Sequence, residues 1–125
     1  MTQVTPEEIA QFRADLADYP DALVALDEIE QCEGDLEDAA IALAIRVGQQ
    51  PEIANAEWLG ILAKKCRAAI CQAEYRDDLV NGNFAPMVEH LTARKLCPAL
   101  LITPVLMYVA QQGVKHFCEP LDPML

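Results

Sequence analysis

Helix-boundary residues alternate with apolar stripes of helical spacing along most of this chain of 125 residues. Thr5, Pro6 and Glu8 show the pattern of an N-cap, a first-turn proline and a capping-box acid. Gly34 and Gly48 lie where helices would end. No stretch alternates apolar and polar residues as a half-buried strand does. The pattern predicts six helices, at about 6–18, 21–33, 36–47, 56–81, 84–95 and 98–112.

A chain of this length has room for one domain with one core. Its composition, 53% hydrophobic and 23% charged, is typical of a globular protein rather than a disordered one. We therefore predict an all-α fold: a single six-helix antiparallel bundle over residues 1–112, followed by an irregular C-terminal tail over residues 113–125. The apolar stripes predict that the following side chains are buried: Leu43, Trp58, Leu62, Cys66 and Leu106.

The most apolar segment covers residues 96–110 and contains Pro98 and Pro104. It is too short to span a bilayer, so no membrane contact is expected. A helix that is apolar on every side lies either at the centre of a protein or at an interface. Residues 105–109 offer more apolar surface than one side of a helix can bury against a small core. This surplus predicts a homodimer through residues 104–112.

The whole net charge of −11 arises in the first 45 residues, which hold twelve acids and a single base, Arg13. A field of this kind repels nucleic acid and attracts basic partners. Glu30 and Glu33 lie in the last turn of the predicted second helix, where the helix dipole disfavours acids. Together with Glu28, they are predicted to form a partner-binding acidic patch. The alternative is a solvated face that only confers solubility.

A small basic patch is predicted on the polar face of the long fourth helix, formed by Lys64, Lys65 and Arg67. These bases lie in the middle of that helix, where the dipole does not explain them. The patch is too slight to hold a nucleic-acid backbone against the excess of negative charge. It could pair with the acidic patch, within one molecule or between two, or it could be an ordinary solvated face.

Five cysteines and two histidines are the candidates for chemistry. Residues 1–8 contain neither a base nor an apolar run, so we expect no signal peptide, a cytoplasmic location and free thiols. Cys71 follows Cys66 by five residues and faces away from it in a helix, a spacing that suits neither a zinc site nor a redox pair. We therefore expect no catalytic residue, no metal and no cofactor.

Six helices of these lengths resemble the death-domain-like fold, an antiparallel bundle used for protein–protein interaction. The segment from Gly34 to Ala44, with the helix from Trp58 to Cys71, is similar to a family of small uncharacterised cyanobacterial proteins with that kind of bundle. The resemblance would cover most of the chain, and it implies an interaction role in signalling without a catalytic residue.

These observations predict a non-catalytic protein–protein interaction or regulatory module that acts through charged surface patches. Its partner is expected to be a protein with a basic surface. The alternative function is a small-molecule sensor or an enzyme with a pocket inside the bundle, beside Trp58. A purely structural homodimer is a third possibility.

Overall fold

The computed structural model describes residues 2–49 and 57–124, and within them the protein is all-helical. The extended backbone there amounts to one isolated antiparallel bridge between Gln3 and Asp35. Nine α-helices and a final 3-10 helix, Glu119–Met124, follow one another in these ranges. The α-helices are α1 (Pro6–Asp15), α2 (Pro20–Gln31), α3 (Leu36–Arg46), α4 (Trp58–Lys65), α5 (Arg67–Ile70), α6 (Ala73–Val80), α7 (Ala85–Arg94), α8 (Ala99–Gln112) and α9 (Val114–Cys118).

The capping box predicted for Thr5 and Glu8 is present at the start of α1. The Thr5 hydroxyl accepts from the Glu8 amide at 3.1 Å, and the Glu8 carboxylate accepts from the Thr5 amide at 2.9 Å, which is a complete capping box. At the start of α3, the Asp35 carboxylate accepts from the amide of Asp38 at 3.1 Å. The starts of α1 and α3 are therefore set by residues within one turn of the helix.

Helix α8 is the centre of the fold. It packs against α2, α3 and α4, and also contacts α7 and α9. All residues from Leu101 to Met107 are buried, Val109 is buried, and Tyr108 is half-buried. The helix continues through Pro104 without a break. The chain thus encloses nearly all of the segment that we expected to exceed its core, which removes the reason given for a homodimer through residues 104–112. The oligomeric state itself stays a prediction.

The prediction of one long helix over 56–81 is wrong. Residue 56 lies outside the described residues, and the rest forms α4, α5 and α6, with breaks at Cys66 and at Cys71 and Gln72. In a straight helix Cys66 and Cys71 would point about 140° apart. In the structure both are buried, because the chain turns between the short helices. No glycine or proline marks these breaks, which is why the sequence pattern missed them.

Three of the five predicted core residues, Leu43, Cys66 and Leu106, are fully buried, which confirms them. Trp58 and Leu62 are only half-buried and pack against the edge of the core. Their helix, α4, is short and lies at the surface, so one side of each residue faces solvent.

The tail that we expected to be irregular contains α9 and the 3-10 helix, although its last residue lies outside the described part. Cys118 in α9 forms a disulfide with Cys71, across a sequence separation of 47 residues. The prediction that all five thiols are free is therefore wrong for this pair, while Cys32, Cys66 and Cys97 are free. In the described ranges, no helix has both the length and the apolarity that a membrane crossing requires.

The N-terminal segment is fixed to the turn between α2 and α3. The Val4 amide donates to the Gly34 carbonyl, and the Leu36 amide donates to the Thr2 carbonyl, both at 2.9 Å. Gly34 has a φ of +85°, and a Cβ atom there would lie 2.3 Å from the Val4 carbonyl oxygen. A side chain at this position would therefore face both backbone strain and an overlap with the paired segment.

Replacing Gly34 with alanine tests this pairing. Gly82 is a matched control, because its φ is +83° and no atom lies within 4 Å of the position that a Cβ atom would take there. We expect Gly82→Ala to lower the free energy of unfolding by about 1 kcal/mol, the usual cost of a left-handed alanine. We expect Gly34→Ala to cost roughly 1–3 kcal/mol more, because the Val4 carbonyl must move. Urea unfolding followed by circular dichroism measures both, and equal losses would contradict the close approach.

Candidate functional site

A small groove lies between the start of α1 and the end of α2, and we call it the acidic groove. Its volume is about 270 Å³. Its floor is mostly apolar and two acids stand at its rim; the lining residues are Val4, Pro6, Ile9, Glu30, Glu33 and Gly34. The pairing of residues 2–4 with the turn before α3 holds its two sides together. The groove brings two of the three predicted acidic-patch residues to one place.

Glu30 has a structural partner that the sequence did not reveal. The guanidinium of Arg13 in α1 donates to Glu30 at 3.0 Å and to Asp27 at 2.8 Å. The hydrogen bond to Asp27, and after it the one to Glu30, raises the pKa of Arg13 above its ordinary value. Both carboxylate side chains are more than 60% exposed, at 63% and 67%, so the pairs stabilise the α1–α2 contact by only about 0–1 kcal/mol.

Glu33 is the less expected of the two rim acids. Helix α2 ends at Gln31, so Glu33 is not in its last turn but in the tight turn that follows. Its φ is +56°, in the left-handed region that glycine and asparagine occupy more readily than glutamate. Its backbone carbonyl accepts a hydrogen bond from the Gln3 side chain. Among the described residues its carboxylate forms no salt bridge, so neither local conformation nor pairing accounts for a glutamate here.

Glu28 lies apart from the other two acids. It is two residues from Glu30 in the same helix, and therefore faces roughly the opposite side. Its carboxylate accepts from the Cys32 thiol at 3.7 Å. Burial is the main cause that raises the pKa of Cys32, and the negative charge of Glu28 adds to it. The predicted patch of three acids is thus divided between two surfaces.

The three predicted bases also have different surroundings. Lys64 and Lys65 are exposed and lie in the last turn of α4, where the helix dipole favours bases. The expectation that they lie mid-helix without such a reason is wrong, because α4 ends at Lys65. Arg67 is half-buried, with its guanidinium carbon 4.7 Å from the centre of the Phe117 ring in α9. In the ranges that the structure describes, no salt bridge joins these bases to the acidic groove.

Comparisons of this chain with protein-family models, with curated proteins and with solved structures found no match. Of the features that the resemblance to the death-domain-like fold implies, the structure supports the all-helical class. The function is therefore inferred from the surface chemistry of the chain itself.

Two features of the site were not predicted from the sequence. Arg13 is the single base among the first 45 residues, which marks it as unusual, but its position opposite Asp27 and Glu30 depends on how α1 packs on α2. The left-handed backbone of Glu33 carries a weak signal, since Glu33 precedes a glycine at the end of a helix.

The contact between Glu28 and Cys32 predicts how fast this thiol reacts. Below the raised pKa, the rate of alkylation follows the thiolate fraction. Glu28→Gln removes the negative charge that disfavours the thiolate, so we expect Cys32 to react severalfold faster with iodoacetamide near pH 8. Peptide mapping by mass spectrometry measures the rate at this residue alone. Glu30→Gln is the control, since it removes the same charge on the far side of α2, and an equal acceleration in both variants would refute the contact.

Proposed function

We propose that this protein is a non-catalytic interaction module whose acidic groove binds a basic segment of a protein partner. The observation that carries the proposal is Glu33 at the rim of an apolar groove. Its backbone conformation is unfavourable, and its carboxylate has no salt bridge within the described ranges. Residues in sparsely populated conformations are found more often at functional sites than elsewhere. A glutamate that the fold does not require is the residue to test first.

The groove fits the chemistry of an arginine or lysine side chain. Such a side chain can lay its apolar stem against Val4, Pro6 and Ile9 while its charged head reaches the rim acids. Arg13 shows that a rim acid can bind such a charged head, because its guanidinium already binds Glu30. The net charge of −11 would steer a basic partner towards this part of the molecule.

The same proposal includes the predictions from the sequence about the type of helical bundle, the basic residues and the cellular location. A death-domain-like arrangement would suit an interaction role. The all-helical fold supports such an arrangement. Two features differ from a six-helix bundle, namely the division of residues 57–81 into three short helices and the additional helix α9. Lys64 and Lys65 stay predicted contacts for an acidic part of the partner, while Arg67 is engaged with Phe117. The expected cytoplasmic setting requires that the Cys71–Cys118 disulfide resist the thiols present there.

Reversing the charge of Glu33 tests the proposal. We expect Glu33→Lys to leave the free energy of unfolding nearly unchanged, because the carboxylate has no salt bridge among the described residues, and to reduce capture of the partner at least about tenfold. Capture is measured by quantitative mass spectrometry of proteins retained from a cell extract. Capture by the wild-type protein should also weaken with added salt, because the Debye length, the distance over which charges interact, falls to about 8–10 Å.

Asp18→Lys is the matched control for this experiment. Asp18 is exposed, belongs to the same acidic third of the chain and gives the same change in net charge, but it does not line the acidic groove. If every retained protein tolerates Glu33→Lys as well as Asp18→Lys, the groove is not the binding site. Glu30→Lys is less suitable as a test, since it would place a lysine beside Arg13 and disturb the α1–α2 contact.

A further inference from the structure

A cleft with mostly polar side chains lies between α4 and α8, and we call it the polar cleft. Its volume is about 450 Å³. Helix α4 contributes Gly60 and Lys64 to it, and α8 contributes Tyr108 and Gln112. In each pair the two residues are four positions apart, so they share one face of their helix. Because α4 packs on the central helix α8, the core fixes the two walls of the cleft relative to each other.

Gly60 makes room for a hydroxyl group in the wall of the polar cleft. It lies inside α4, where glycine destabilises a helix relative to alanine. A Cβ atom at this position would lie 2.9 Å from the hydroxyl oxygen of Tyr108. Tyr108 is half-buried, while its neighbours Met107 and Val109 are buried, so its ring reaches the edge of the core. A residue that the helix itself disfavours therefore keeps the phenol hydroxyl in place.

The polar cleft has charges of both signs. Glu57 is the N-cap residue of α4, and Lys64 lies in the last turn of the same helix. Glu37 of α3 adds a second carboxylate, whose oxygens accept from the amide and the hydroxyl of Thr2 at 2.5 and 2.7 Å. Within residues 2–49 and 57–124, no hydrogen bond or salt bridge engages the Lys64 ammonium group or the Tyr108 hydroxyl. Both groups are thus available as donors to a ligand.

The spacing of the two charges on α4 sets the length of a ligand that could bridge them. Lys64 follows Glu57 by seven positions, which is about two helical turns and about 10 Å along the axis. After two turns a side chain points in nearly the same direction again, so the two charged groups are separated by a similar distance. Two charge-assisted hydrogen bonds of about 2.8 Å each leave about 5 Å between the charged ends of the ligand.

We propose that the polar cleft binds a small zwitterion of the length of a dipeptide. Its ammonium group donates to Glu57, and its carboxylate accepts from Lys64 and Tyr108. The side-chain amide of Gln112 can pair with the peptide group between the two ends. An extended residue spans about 3.5 Å, so the charged ends of a dipeptide match the available length better than those of a single amino acid.

This inference is independent of the acidic groove and of the proposed binding role, because the two sites share no lining residue. The two sites also differ in chemistry. The rim of the acidic groove has acids alone, whereas the polar cleft pairs acids with a lysine and a phenol. A ligand with a positive charge and a negative charge is therefore expected in the polar cleft alone.

The experiment titrates the isotope-labelled full-length protein with glycylglycine at neutral pH and follows the backbone amides by NMR. We expect saturable shifts that are largest at Gly60, Ile61 and Gln112, which line the polar cleft. The same shifts should persist in Glu33→Lys, which alters only the acidic groove. Absence of saturable shifts at the polar cleft would overturn the proposal.

Three related compounds test the charged ends and the length of the ligand. N-acetylglycine lacks the ammonium group, glycylglycinamide lacks the carboxylate, and glycine carries both charges at a shorter distance. We expect each of them to bind at least about fivefold more weakly than glycylglycine, since each loses a charge-assisted hydrogen bond. Equal binding of N-acetylglycine or glycylglycinamide would refute recognition of a zwitterion, and equal binding of glycine would refute the proposed length.

Variants of two neighbouring lysines test the position of the site. Lys64→Gln should weaken the binding of glycylglycine at least about fivefold. Lys65→Gln is the matched control, because Lys65 is also exposed in the last turn of α4 but does not line the polar cleft. Equal affinities of these two variants would overturn the proposal.

Tyr108→Phe removes the hydroxyl and keeps the ring, so we expect weaker binding of glycylglycine by a folded protein. An unchanged affinity in this variant would remove Tyr108 from the site. Circular dichroism confirms folding. If Tyr108→Phe fails to fold, the comparison of Lys64→Gln with Lys65→Gln remains decisive, because both lysines are exposed.

Discussion

Helix α8 has no polar face, and such a helix is stable in water only where other elements enclose it. The remaining helices supply that enclosure, with α2, α3 and α4 along its length and α7 and α9 at other positions. All residues from Leu101 to Met107 are buried as a result. The hydrophobic effect acts without direction, so it packs the helices around α8 but does not set the residues at which each helix begins and ends. Capping bonds and covalent links set those positions.

The outward position of the acidic residues in the first third of the chain follows from the same packing. Helices α1, α2 and α3 use their apolar faces against α8 and one another, so their acidic residues face outward or edge the joints between helices. Arg13 bridges one such joint by binding Asp27 and Glu30. Glu33 has no comparable task within the described structure. A surface whose negative charge exceeds what the fold uses is the physical basis for expecting a positively charged partner.

The short helices between Trp58 and Val80 bring together the sulfur chemistry of the chain. Cys66 and Cys71 flank α5 and differ in state, since Cys66 is a buried free thiol and Cys71 forms the disulfide with Cys118. In the chain-entropy view, a disulfide that closes a loop of this length stabilises the folded protein by about 4 kcal/mol. That is a large share of the roughly 5–15 kcal/mol typical of a domain, so the position of α9 is held by more than its small apolar contact.

The sequence by itself determined the all-helical class and most helix ends, since Thr5, Asp35 and the glycines act within a turn of the helices that they limit. It also predicted that the apolar segment of α8 is covered, either at the core or at an interface between two copies, and the tertiary structure shows that the chain itself covers it. Only the tertiary structure decided the breaks at Cys66 and Cys71, the Arg13 bridge and the acidic groove. Each of these depends on side chains that lie far apart in sequence, and a periodic pattern read along one segment contains no information about which distant segment packs against it.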